Sequence, residues 1–166
     1  MYDFAPDPRQ PKPEFYRELL AAADALTAGE SDAVAKSDAV ANMANLAALI
    51  WHWVPRLNWA GFYRSIGAEL VLGPFCGKPA CIRIPLGQGV CGTAAATGHS
   101  QRVADVHSFP GHIACDAQSR SELVVPIWRD KAVIAVIDLD SPEPGRFDTD
   151  DQRGIEALAA LIAERV

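Results

Sequence analysis

The chain has 166 residues, 49% hydrophobic and 22% charged, with a formal net charge of −6. That suits one soluble domain large enough to bury a core without staples, and its acidic balance argues against a nucleic-acid partner. No apolar run approaches the roughly 20 residues of a membrane span, and no signal peptide opens the chain, so the expected compartment is the cytoplasm.

Residues 1–13 carry Pro6, Pro8, Pro11 and Pro13 and read as an extended arm. Pro13 and Glu14 open a first helix running to about Thr27, with Phe15, Leu19, Leu20, Ala23 and Leu26 on one stripe and Gly29 as its stop. A second helix follows, capped by Ser31 or Ser37, with Val40, Met43, Ala44, Ala47, Leu49 and Ile50 as core positions. It should end at Val54, because Pro55 disfavours a helical residue before it. The helical pair predicts packing or a dimer face.

From Asn58 the period changes. Residues 58–65 read as a strand, with residues 69–72 as its hairpin partner across a turn near Gly67. Residues 73–80 read as a loop and 81–86 as a short β segment. Gly87 and Gly89 break the chain before a small-residue helix that Gly98 closes. Gln101–Val103 is a brief strand. A polar loop follows, carrying His112 and Cys115. Residues 122–128 and 132–139 are nearly continuous apolar runs joined by Arg129, Asp130 and Lys131, hence a hairpin of central strands. Asp148 caps a last helix with Ile155, Leu158, Ala159, Leu161 and Ile162 inward. The sum is an α+β domain: an antiparallel sheet of five or six strands with helices packed over it.

The four cysteines form no C-x-x-C pair, and His99, His107 and His112 lack zinc-ligand spacing. Cys115, in a polar loop near His112, is a reactive thiol or an inert buried one. Cys91 is a small packed residue at a helix start, a position that also favours a thiolate. Asp138 and Asp140 alternate on one strand and share a face, which Glu122 on the neighbouring strand can reach. Three carboxylates around one cavity would raise at least one pKa and hold an ammonium group; otherwise they are solvated strand ends. Trp59 and Tyr63 share a strand face and line a pocket or belong to the core.

Taken together, NWAGFY (58–63), GPFCGKPACIRIP (73–85), GVCGTAA (89–95), DVHSFPGHIACDAQSRSELVVPI (105–127) and VIDLDSP (136–142) resemble the free methionine-(R)-sulfoxide reductases, enzymes built on a single GAF domain. The resemblance covers roughly residues 30–165 and implies a GAF-like fold for a single domain spanning 14–166 behind the arm. It implies that Cys115 attacks the sulfoxide, Cys81 resolves the resulting sulfenic acid and Cys91 is auxiliary. Glu122 falls at the proton donor, Asp138, Asp140 and Asp105 at the substrate site, and Trp59 and Tyr63 at its aromatic wall. The implied partners are free methionine-R-sulfoxide, thioredoxin as reductant and a second copy in a homodimer, with no cofactor or metal. Cys76 departs from the family pattern, where glutamine is expected, and lies five residues from Cys81. A ligand-sensing GAF module or a structural protein with incidental thiols are the competing readings.

Overall fold

The computed structural model describes residues 4–7, 9–28, 38–111 and 117–166. Cys115, His112, Gly29, Ser31 and Ser37 therefore lie outside the described residues. Six strands form one antiparallel sheet: β1 (Trp59–Ile66), β2 (Glu69–Gly77), β3 (Arg83–Pro85), β4 (Gln101–Val103), β5 (Ser121–Arg129) and β6 (Ala132–Ser141), in the order β3-β2-β1-β6-β5-β4. Helices α1 (Lys12–Thr27), α2 (Ala39–Trp53) and α4 (Thr149–Ile162) contribute to a core on one face, with Phe62, Leu123, Ile137 and Leu139 beneath them. Helix α3 (Gly89–Thr97) lies with the smaller cluster that includes Trp59, Tyr63, Val124 and Val136 on the other face. The α+β expectation and the six-strand count both hold.

Strand alternation decides which residues meet on each face. Odd positions of β1 and even positions of β5 and β6 point toward α3, as the pairings Trp59 to Asp140 and Glu122 to Asp140 require. The β5–β6 turn has positive φ at Asp130 and Lys131, the conformation a two-residue hairpin favours. Strand β5 is buried on both faces from Ser121 to Ile127, consistent with its continuous apolar run.

The helix ends follow local chemistry. Asp38 caps α2 by accepting from the Val40 and Ala41 amides, and Val54 leaves the helix in an extended conformation before Pro55. Asp148 and Asp151 form a capping box on α4. Gly98 closes α3 at φ +68°, and a Cβ there would collide with the Trp128 ring.

Several expectations need correction. Residues 73–77 are strand, because β2 runs on to Gly77 and pairs with Trp59, Ala60 and Gly61. Val40 and Ala44 face outward on α2, and Leu46 takes the core position between Met43 and Ile50. On α1 the buried aromatic is Tyr16, while Phe15 is only partly buried. Leu161 is half-buried. The proline arm docks at Phe4, whose ring meets Trp53 edge-on at 5.3 Å.

Candidate active site

The site is built across three strands. Trp59, Asp140 and Glu122 stand in one cross-strand row of β1, β6 and β5, and Gly61, Asp138 and Val124 form the next. Helix α3 lowers Cys91 onto this surface, its Sγ 3.9 Å from Glu122 Oε1. The pocket between them is lined by Trp59, Tyr63, Cys91, Glu122, Asp138 and Asp140 together with the 78–80 segment, Ile84, the start of α3 and Ser119.

Electrostatics make this pocket unusual. Glu122 and Asp138 are each only 6% exposed, and one Asp138 carboxylate oxygen has no hydrogen-bond partner among the described residues. Burial, then the neighbouring Asp138 and Asp140 charges, push Glu122 well above the ordinary carboxylate range. Burial also raises Asp138, to about 7, although hydrogen bonds from Cys91 and Glu122 pull against the shift. Their shared hydrogen bond favours the proton on Glu122, so the pair holds a buried acid beside a potential anion. Burial and the same carboxylates push the Cys91 thiol well up, which opposes the thiolate that its helix-start position favours.

Cys91, Glu122 and Asp138 are the described residues whose donor atoms cluster closely enough to hold a metal ion, all within 4.8 Å of one another.

The aromatic wall is rigid. Trp59 stacks on Tyr63 with centroids 5.8 Å apart and donates from Nε1 to the Lys78 carbonyl at 3.1 Å. The Tyr63 hydroxyl donates to the Cys81 carbonyl, tying β1 to the cysteine segment. Cys81 is half-buried and disulfide-bonded, whereas Cys76 and Cys91 are free thiols.

Of the expected site residues, Trp59, Tyr63, Cys91, Glu122, Asp138 and Asp140 converge on one pocket, and Cys81 stands beside it through Tyr63. Asp105 is not part of that lining. Its carboxylate caps the 3-10 turn at Val106–Ser108 and lies 3.8 Å from Arg120. Cys76 packs toward the helix-covered core, on the opposite face of the sheet from the cluster that Cys81 joins, so it has no path into exchange there. Lys78 and Ser119 enter the pocket without having been singled out from sequence. The lysine was legible as the one cation inside the GKPAC motif; Ser119 carries no signal beyond its loop.

A mixed sheet-and-helix domain of this architecture with a small buried site defines a GAF domain, and the chain matches the GAF domain family over residues 38–165. It is 48% identical to a free methionine-R-sulfoxide reductase of Escherichia coli, covering 91% of this chain and 88% of that protein. The solved structure of a free methionine-R-sulfoxide reductase of Neisseria meningitidis, in complex with its substrate, is 40% identical. It superposes with a TM-score of 0.90 over 99% of this chain and 95% of that one. A candidate GAF sensor protein from Burkholderia vietnamiensis is 52% identical, with a TM-score of 0.87 over 95% and 96% of the two chains. The chain thus belongs to the GAF-domain family of free methionine-(R)-sulfoxide reductases.

Proposed function

We propose that this protein is an oxidoreductase that reduces free methionine-(R)-sulfoxide to methionine by thiol chemistry. The observation that carries the reading is the buried acid pair Glu122 and Asp138 facing an aromatic wall, beside a disulfide-bonded Cys81. The sulfoxide oxygen must gain a proton as its bond to sulfur breaks, and Glu122 is the acid whose proton burial and the neighbouring carboxylates hold more tightly than usual.

In this mechanism the Cys115 thiolate attacks the sulfoxide sulfur while Glu122 protonates its oxygen. The protonated oxygen then passes from the substrate sulfur to the Cys115 sulfur as the substrate S–O bond breaks, so that methionine departs and Cys115 is left as a sulfenic acid. The Cys81 thiol condenses with it, releasing water and forming the Cys115–Cys81 disulfide. An external dithiol, thioredoxin in the cell, reopens that bond by exchange. Asp138 and Asp140 pair with the substrate ammonium, backbone N–H groups of the 105–115 loop receive its carboxylate, and Trp59 with Tyr63 enclose the methyl end. Cys91 acts as an auxiliary thiol.

The protein works in the cytoplasm as a homodimer, with residues 1–13 as an arm on a single domain of residues 14–166. Support for the dimer comes from α2, which is apolar on its outward side as well as its inward one: Val40, Ala44 and Trp51 are all exposed. No described helix is long and apolar enough to cross a membrane.

The test is stoichiometric. Reduced protein mixed with free methionine-R-sulfoxide, without any added reductant, should release one methionine per chain and lose two titratable thiols. Binding without methionine release would favour the sensor reading that the Burkholderia relative suggests.

A further inference from the structure

On the face of the sheet that carries the pocket, aromatics and glycines alternate across two strands. Trp59 stands opposite Gly77, and Gly61 stands opposite Phe75. The Trp59 indole lies across both bare positions: a Cβ on Gly77 would stand 2.8 Å from its Cδ1, and one on Gly61 2.7 Å from its Cη2. A Cβ on Gly61 would also collide with the Phe75 Cβ. Gly61 is not among the glycines with positive φ, so its missing side chain serves space and not backbone conformation. Phe75 stacks on the indole with centroids 5.3 Å apart and planes 12° from parallel. Trp59 lines the pocket, and Phe75 stands behind it, outside the lining.

We infer that Phe75 and the glycine pair Gly61 and Gly77 are positioning residues that hold the Trp59 indole flat on the sheet and so set the depth and epimer selectivity of the pocket. An indole free of these constraints can swing about its two side-chain torsions into the space above Asp138, because Gly61 is also the cross-strand neighbour of Asp138. With the ring held down, the carboxylate and the bound substrate share that space. The stack on Phe75 is the offset-parallel arrangement that aromatic pairs prefer, and it fixes the indole plane as well as its height. The inference rests on the reading of this pocket as a methionine sulfoxide site.

Phe75→Leu is the test, since it keeps the Cβ, removes the stack and alters a residue that is only half-buried. The variant should raise KM for free methionine-R-sulfoxide by about 3- to 10-fold, the fold-change that loss of an aromatic pair implies. Its preference for the R over the S epimer should narrow by a similar factor, while kcat moves less. In a Trp59→Phe background the same Phe75→Leu change should have no further effect, because it acts through the indole. Unchanged KM and epimer preference, or equal effects in both backgrounds, would overturn the inference. If the parent protein reduces neither epimer, the reductase reading fails separately. The positioning claim is then read from acrylamide quenching of the fluorescence component lost in Trp59→Phe. That component should become more accessible in Phe75→Leu, and unaltered quenching would refute the claim.

Discussion

Glu122 and Asp138 occupy adjacent strands, one cross-strand row apart, and both are taken out of water without a cationic side chain lining the pocket beside them except Lys78. A folded value of about 7 for Asp138 stands above an unfolded value of about 4, so the proton is bound more tightly in the folded chain. The sign follows directly. The buried acid imposes no penalty below about pH 4, and it destabilises the fold increasingly as pH rises through 7. Asp138→Asn should therefore be more stable than the parent at pH 8, by up to about 4 kcal/mol, with a gap that shrinks toward pH 5. Urea denaturation at the two pH values measures this, and a gap independent of pH would contradict the assignment. Glu122→Gln keeps the size of the side chain but has no proton to give. It should lower kcat on the order of 10²-fold with little change in KM, as steady-state kinetics would show; a change confined to KM would make Glu122 a binding group instead.

At the scale of elements, α1 and α4 brace the sheet from the face opposite the pocket. Asp151, 1% exposed, accepts from Tyr16 on α1 at 2.8 Å, from Arg146 at 2.9 Å and from Lys12 at 2.6 Å. The Tyr16 ring packs flush on Gly154, where any Cβ would collide with it. Gly154→Ala should cost about 1–3 kcal/mol of stability through overpacking, yet leave KM unchanged, because it lies on the face away from the pocket. A combined melt and kinetic assay checks both halves. Much of this element pattern was legible in the sequence: the Asp148 cap, the Gly98 stop, the Pro55 break and the shared face of Asp138 and Asp140 all follow from local rules. The limits of α2 were not, since its outward side is as apolar as its inward side and periodicity gives Val40 and Leu46 no distinguishing mark. The extension of β2 through residues 73–77 was hidden for another reason. Its two glycines and one proline read as turn chemistry, whereas Gly73 is bare because the Phe62 backbone approaches it closely, and Gly77 because it takes φ +129° under the Trp59 ring.

For the molecule as a whole, the apolar outer stripe of α2 predicts association. Light scattering of the parent should give the mass of two chains, and Ala44→Arg, on that exposed face, should give the mass of one without unfolding; equal masses for the two proteins would contradict the prediction. The most direct measurement is NADPH consumption with thioredoxin and thioredoxin reductase, offering the R and S epimers of free methionine sulfoxide separately. Turnover of the R epimer alone, abolished in Cys115→Ser, is the predicted result. Turnover that survives Cys115→Ser, or no turnover with either epimer even with dithiothreitol as reductant, would contradict the account.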